Sequence, residues 1–418
     1  MKDFAAALAS RRRALAILAV ALAAWIVDMR TGATALGIFA WLSPALLSIA
    51  WMSPAQRRTA RADVLRLAVL VPVLAIALAL PMFLIGMRPV WWTCLRTAAL
   101  DIAALAPLVL LTRALTAAVD RRFAAASRGR AIASGAAQLV PAVIGLPIVL
   151  LAVQVHRAQG TASEGESAIP RPAERVAITG AGGTRLAGLW FENPAARGAV
   201  LLVHGIGAEK TQFLPAVSAL YQRGYHVLTY DQRNHGESGG ATCTLGAAEG
   251  EDLARAWELL RDRTRGAAIP RVIYGISMGG AAAQSALPHL EGVDGLILDS
   301  TFADVQVIAR RRLPIGPLAA PLVRAVRPLG VLLTGRDVLG FDASAIAARA
   351  PASLPVLILH AREDPVVPFS EAEALVRIYG PRATLVAFDG AHHAGGFVFD
   401  GRRHQAAVEA FAAKVEGR

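Results

Sequence analysis

RVIYGISMGGAAAQ, residues 271–284, sets a β-branched run directly before a serine and an alanine-rich run directly after it. Ser277 lies between Gly275 and Gly279, in the spacing Gly-x-Ser-x-Gly. One interpretation is an ordinary turn, because glycine and serine are common turn residues. The other is a strained turn from a strand into a helix, in which glycines avoid clashes and the serine hydroxyl is presented as a nucleophile. A chain with 37 glycines produces such a motif easily by chance, so the rest of the sequence decides.

Short β-branched runs alternate with helical patterns from residue 175 onward. The sequence predicts eight strands, at 175–179, 185–191, 199–204, 226–230, 271–276, 295–299, 355–360 and 383–388. Helical patterns fall at about 210–223, 247–263, 278–287, 342–349, 370–379 and 401–416. Two leading strands followed by strand–helix alternation predict an α/β fold, a mostly parallel eight-stranded sheet with helices on both faces.

Polar clusters follow five of these strands. They are HGIGAEK (204–210), DQRNHGESGG (231–240), Ser277, AREDPVVP (361–368) and DGAHHAGGF (389–397). Working residues gather at the carboxyl ends of strands in such sheets, so we expect the clusters to meet at one edge. Coincidence accounts for one Gly-x-Ser-x-Gly but not for five strand-end clusters, and the strand-to-helix interpretation of Ser277 is therefore preferred.

On these motifs residues 175–418 resemble the α/β-hydrolase superfamily, in its esterase and serine-aminopeptidase-like branch. The order serine, acid, histidine is the one associated with that superfamily. The resemblance implies that Ser277 is the nucleophile and that His393 takes its proton and returns it to the leaving group. It implies that Asp364 orients the imidazole and stabilises its charged form.

The resemblance also implies an oxyanion hole formed by the backbone N–H groups of Ile206 and Met278. Residues 300–352 are rich in proline and leucine and replace a simple helical connection, so we expect a short helical lid over Ser277. No metal, nucleotide or flavin is required, and the glycine-rich segments match neither a dinucleotide fingerprint nor a P-loop. We therefore expect the protein to need no cofactor.

Two of the candidate residues have rivals. His392 is adjacent to His393, and the small residues that follow favour His393 as the base. Asp299 ends an earlier strand, where some α/β-hydrolases place their acid, but the helix expected after EDPVVP favours Asp364. His404 is expected to be a solvated residue.

The first 157 residues differ in composition from the rest. They carry 17 Lys+Arg and 5 Asp+Glu, a net charge of +12, whereas residues 158–418 carry 26 of each. The chain is 55% hydrophobic, which is high for a soluble protein. A basic excess confined to the apolar half is typical of membrane loops, and no nucleic-acid-binding motif accompanies it. We therefore expect a lipid bilayer, and not a nucleic acid, as partner.

The apolar half predicts an all-α transmembrane region of about five helices at 1–157, followed by a flexible linker at 158–174. The candidate spans are 14–27, 31–52, 67–87, 97–119 and 131–155, and a span needs about 20 apolar residues. The first and fourth are weaker, and 14–27 also fits a signal-peptide core. With the N-terminus in the cytoplasm, inside segments hold 12 Lys and Arg residues against 4 outside. Five spans place residues 175–418 outside the cytoplasm of an inner or plasma membrane, whereas losing one weak span would reverse this.

These features favour a membrane-anchored serine hydrolase that cleaves small-molecule carboxylic esters, acyl or lipid-like, through an acyl-enzyme. Two alternatives stay open at this point. A serine peptidase would use the same three residues, although no acidic pocket for a substrate amine is identifiable in the sequence. A membrane scaffold with a non-catalytic hydrolase-like domain would not need Ser277 and His393, and both are present.

Overall fold

The structure is a computed structural model. It describes residues 173–417 except for 241 and 312–315, together with residues 118, 121 and 122. The predicted spans and linker lie outside the described residues, apart from residues 118, 173 and 174. Within the described part of the chain, no helix is both long enough and apolar enough to cross a membrane.

The described residues form one eight-stranded sheet with helices between its strands. Its strands are β1 (Glu174–Thr179), β2 (Arg185–Phe191), β3 (Gly198–Val203), β4 (Tyr225–Tyr230), β5 (Arg271–Ile276), β6 (Gly295–Asp299), β7 (Val356–Ala361) and β8 (Ala383–Phe388). Its helices are α1 (Leu214–Gln222), α2 (Ala247–Arg263), α3 (Met278–Ala286), α4 (Val305–Arg311), α5 (Ala319–Thr334), α6 (Ala343–Ala347), α7 (Phe369–Tyr379), α8 (Gly396–Phe399) and α9 (Gly401–Glu416).

The strand order across the sheet is β1-β2-β4-β3-β5-β6-β7-β8. The pairs β1–β2 and β2–β4 are antiparallel, and every pair from β4–β3 to β7–β8 is parallel. Parallel neighbours need crossover connections, and the helices supply them. The predicted mostly parallel eight-stranded sheet is confirmed, and the carboxyl ends of β3 to β8 share one edge.

Strand β3 illustrates how both faces of the sheet are buried. Ala199, Leu201 and Val203 contact a core that also contains residues of α2, α3 and α7. Val200 and Leu202 point to the opposite core, which is shared with α1 and α9. Alternate side chains of a strand point to opposite faces, so a strand covered on both sides must be apolar throughout. This requirement explains the uninterrupted run AVLLV.

The segment from 300 to 352, predicted as a helical lid, contains α4, α5 and α6. Its first turn is fixed to the domain by the Glu371 carboxylate, which accepts hydrogen bonds from the N–H groups of Ala303 and Asp304 at 3.0 Å each. Helix α5 includes Pro328. The cover over Ser277 stays a prediction.

Candidate active site

Ser277 lies between the end of β5 and the first residue of α3, in a backbone conformation that L residues rarely adopt. Its φ is 52° and its ψ is −115°. A Cβ atom at Gly279 would overlap the carbonyl oxygen of Val203, and one at Gly280 would lie 2.6 Å from the Thr301 side chain. The glycines therefore allow the sharp turn that the sequence suggested, because no larger residue fits against β3 and Thr301.

Two hydrogen bonds hold this turn against the neighbouring strand. The N–H of Ser277 donates to the carbonyl of Asp299 at 2.8 Å, and the Thr301 hydroxyl donates to the carbonyl of Ser277 at 2.7 Å. Strained backbone persists only where its surroundings over-determine it, and such positions cluster at functional sites. The position of the Ser277 hydroxyl is thus set by β5, β6 and α3 together.

The structure brings Ser277, His393 and Asp364 together from three strand ends. His393 Nε2 lies 3.0 Å from Ser277 Oγ, and His393 Nδ1 lies 2.7 Å from Asp364 Oδ2. The Asp364 side chain is fully buried, and that of His393 is 22% exposed. Such a chain of contacts gives the hydroxyl an adjacent base and gives the base a fixed orientation.

Asp364 is itself held by backbone groups of the turn before α7. Its Oδ1 accepts hydrogen bonds from the N–H groups of Val366 and Val367, both at 2.8 Å. This leaves Oδ2 directed at His393. Buried carboxylates are costly unless they are hydrogen-bonded, and here both oxygens have donors.

The rival residues lie elsewhere. His392 is exposed, and its carbonyl accepts the N–H of Gly395 at 2.9 Å. Asp299 is buried, but its carboxylate is occupied by the Tyr274 hydroxyl at 3.0 Å and the Ser300 hydroxyl at 2.9 Å. The geometry therefore pairs His393 with Asp364.

The expectation that His404 is solvated is wrong. His404 is fully buried, and its Nε2 lies 2.7 Å from the Tyr274 hydroxyl and 3.6 Å from Asp299. Burial alone would raise the pKa of Asp299, but its contacts with His404, Ser300 and Tyr274 outweigh this and hold the pKa below its usual value. Position 404 lies in the first turn of α9, on the same side of the helix as the buried residue Val408, one turn further on.

Ser300 links this buried cluster to the histidine loop (residues 389–395), and no motif in the sequence indicates this link. The Ser300 hydroxyl donates to Asp299 and accepts the N–H of Ala394 at 3.1 Å. Ser300 and Ala394 have φ values of 49° and 53°. Both residues are therefore in the left-handed region that favours glycine, beside His393.

The two candidate oxyanion-hole residues come from different segments. Met278 directly follows Ser277, and Ile206 belongs to the loop after β3. Met278 is the first residue of α3, so its N–H has no acceptor within the helix. Ile206 follows Gly205, where an added Cβ would lie 3.2 Å from the Cβ of Ser277. The loop after β3 thus passes directly beside the serine.

This loop is held in place by two buried histidines, His204 and His235. His204 contacts the Gly205 carbonyl through Nδ1 at 2.7 Å and accepts the N–H of Gln232 through Nε2 at 2.9 Å. His235 accepts the N–H of Gly207 at 3.3 Å. Burial lowers the pKa of His204 to about 3 and also lowers the pKa of His235. Both rings are therefore neutral at neutral pH.

A buried ion pair, not foreseen from the sequence, joins the same two loops. Lys210 Nζ lies 2.8 Å from Asp231 Oδ2 and 2.8 Å from Glu237 Oε2, and the N–H of Lys210 donates to Asp231 Oδ1 at 2.8 Å. Burial would lower the pKa of Lys210, but the two carboxylates raise it overall. Lys210 and Asp231 both belong to predicted strand-end clusters, which was the available signal.

Across residues 173–417, with the gaps stated above, no group of three or more His, Cys, Asp or Glu side chains could hold a metal ion. The one cysteine described, Cys243, is buried with its Sγ 3.3 Å from the sulfur of Met278.

Comparison with known proteins supports the interpretation of the fold. The family model described as serine aminopeptidase, S33, matches residues 194–333, which include Ser277. The chain is 30% identical over 232 residues to the uncharacterized protein YfhR of Escherichia coli strain K12, covering 53% of this chain and 74% of that protein. An esterase structure from Pyrococcus furiosus matches with a TM-score of 0.52 and 21% identity, covering 62% of this chain and 98% of the esterase.

The chain is also similar to the lysophosphatidylserine lipase ABHD12 of Macaca fascicularis. The two are 28% identical over 224 residues, which is 48% of this chain and 50% of the lipase. The chain spans 50% of the length of this lipase and 64% of the length of another curated relative. Both shares are less than two thirds. These similarities therefore cover about half of this chain and not its whole length.

Proposed function

Because this chain belongs to the α/β-hydrolase superfamily, we propose that it is a membrane-anchored serine hydrolase that cleaves carboxylic esters. The contacts of the His393 ring carry this proposal. One nitrogen lies 3.0 Å from the Ser277 hydroxyl and the other 2.7 Å from a buried carboxylate. This arrangement lets a weak nucleophile lose its proton as it attacks, which is the general requirement of acyl transfer by serine.

The proposed reaction has two stages. Ser277 Oγ attacks the ester carbonyl while His393 Nε2 takes the hydroxyl proton, and the N–H groups of Ile206 and Met278 stabilise the oxyanion. The C–O bond to the alcohol breaks, and His393 returns the proton to the departing oxygen. Water then attacks the acyl-enzyme in the same way and releases the carboxylic acid.

Asp364 acts in this scheme by holding His393 in one tautomer. Its Oδ2 accepts the Nδ1 proton, which leaves Nε2 free to act as base toward Ser277. Its carboxylate also stabilises the imidazolium that forms during each stage. Burial of the Asp364 carboxylate strengthens that attraction, because water screens it less.

Two observations support esters near a membrane as substrates. The similar protein from Macaca fascicularis is named as a lipase, and the solved structure with the same fold is an esterase. The first 157 residues have the apolar stretches and the Lys and Arg bias of membrane spans with the hydrolase domain on the outer side. We therefore infer that the bilayer is both the anchor and the source of acyl or lipid-like esters.

A peptidase activity is the second candidate, because the family model that matches residues 194–333 is described as serine aminopeptidase. The same three residues would cleave an amide. Comparing p-nitrophenyl esters with aminoacyl p-nitroanilides on one preparation separates the two activities.

The test uses the full-length chain and a fluorophosphonate probe, which reacts with activated serines. We expect labelling and ester hydrolysis in the wild type, and a loss of both by about 10³-fold or more in Ser277→Ala. Ser285→Ala, which removes a half-buried hydroxyl from the same helix, is the matched control and retains both. Absence of labelling in a folded wild type would favour the non-catalytic scaffold instead.

A further inference from the structure

A cleft of about 670 Å³ opens beside His393, and the reaction steps proposed for Ser277 and His393 assign no role to it. One wall is the start of α1 with the residues before it, including Phe213 and Pro215. The opposite wall is the histidine loop and α8, including Phe397 and Phe399. Volumes of this order are typical of sites for small organic ligands.

The walls of this cleft are mostly apolar, and two of the side chains that form them are held in place by packing. Phe213 and Phe397 are half-buried and pack against the core shared with α1 and α9. The Phe397 ring also lies edge-on to His404, with the ring centres 5.5 Å apart. The polar groups on the walls are few, and His393 is one of them.

The rim of the cleft is exposed although it is apolar. Val398 is 86% exposed and Phe399 is 59% exposed. In the described chain, the only other large hydrophobic residue with comparable exposure is Val331, which does not line the cleft. Two adjacent exposed apolar side chains beside a catalytic histidine are typical of a surface that becomes covered by ligand.

We propose that this cleft binds the hydrocarbon arm of the ester and that Val398 and Phe399 set the preferred chain length. The inference rests on the proposed function, because His393 must lie within hydrogen-bond reach of the departing oxygen. A hydrocarbon arm attached near that oxygen would lie along the apolar walls. Each methylene that enters such a site raises kcat/KM by up to about four-fold.

The arm is supplied by the acyl group or by the alcohol, and paired substrates distinguish them. One series is the p-nitrophenyl esters from acetate to octanoate, and the other is the alkyl acetates from methyl to octyl. With the full-length chain, we expect kcat/KM to rise with chain length in one series until the cleft is filled. The series that responds identifies the arm.

Val398→Asp places a carboxylate on the rim, at a site too exposed to disturb folding. We expect it to lower kcat/KM for the long esters of the responding series by about ten-fold or more. The acetate or methyl ester should change by less than about two-fold, because it does not reach the rim. Ala410→Asp adds the same charge to an exposed position of α9 outside the cleft and is the control.

Labelling by an eight-carbon alkyl diazirine gives a readout that does not need turnover. We expect it to label the tryptic peptide 383–402 in the wild type, with competition by decanol and loss in Val398→Asp. Equal losses on short and long esters, flat chain-length profiles in a wild type that hydrolyses acetate, or no labelling of this peptide would each overturn the inference. A wild type that is labelled but hydrolyses no ester would contradict the proposed function and leave the cleft supported.

Discussion

His392 and His393 are adjacent residues of the same type, but the fold places their side chains in different surroundings. His393 contacts Ser277 Oγ and Asp364, whereas the side chain of His392 is exposed. We therefore predict that His393→Ala lowers kcat for an aryl ester by about 10³-fold or more, because the base is lost. His392→Ala should change kcat by less than about three-fold. Steady-state kinetics on both variants measures the difference.

The pair also contains its own control, since the two substitutions remove the same side chain from the same loop. Equal losses in both variants would mean that the alanine disturbs the loop, and the assignment of the base would then be wrong. In the sequence, the small residues after His393 favoured His393 as the base. The contact of Ser300 with Ala394 could not be predicted from the sequence. That contact joins residues 94 positions apart, and no local pattern encodes it.

At the scale of elements, the carboxyl ends of β3, β4 and β7 carry buried histidines. Burial lowers the pKa of His204 to about 3, and it lowers the pKa values of His235 and His360. The unfolded chain then binds more protons than the folded chain below about pH 6.5, so stability falls as the pH falls. For His204 the cost is about 1.4 kcal/mol per pH unit between about pH 6.5 and about pH 3.

We predict that the free energy of unfolding of the hydrolase-like region, residues 175–418, is about 2 kcal/mol or more lower at pH 5 than at pH 7. Urea unfolding of the full-length chain, followed by proteolysis of the unfolded fraction, measures it. His204→Gln should be less stable at pH 7 but should lose less stability between the two pH values. His289→Gln changes an exposed histidine and should keep the wild-type dependence. A wild type with equal stability at pH 7 and pH 5 would refute the argument.

The elements themselves were largely predictable, and the exceptions have physical reasons. The sequence bounds of β2, β5, β6, β8, α2 and α9 agree with the structure, because each has a clear apolar period and turn residues at its ends. Helices α4 and α5 were predicted only as part of a lid, because Pro317, Pro321 and Pro328 interrupt the pattern there. The Arg233–Asp252 ion pair, at 2.6 Å, depends on the packing of α2 and could not be derived from spacing.

At the scale of the whole molecule, the order of the strands in the sheet could not be predicted. Eight apolar runs of similar length do not specify which strands pair with each other. The order β4-β3-β5 at the centre puts the loops after β3 and β5 side by side, and this places Ile206 next to the Ser277 turn. Chain order alone indicated which strand ends carry polar groups. The sheet decided which of these groups meet.

The contacts within the chain divide it between residues 153 and 154. We predict that residues 154–418 fold alone, because both cores described above are built from residues within that range. After cell fractionation the full chain should remain with carbonate-washed membranes, whereas residues 154–418 should be soluble and labelled by fluorophosphonate. The 154–418 form of Ser277→Ala should be soluble and unlabelled, which separates folding from reactivity. A full chain found in the soluble fraction would contradict the anchor, and an insoluble 154–418 fragment would mean that the first half contributes to the fold.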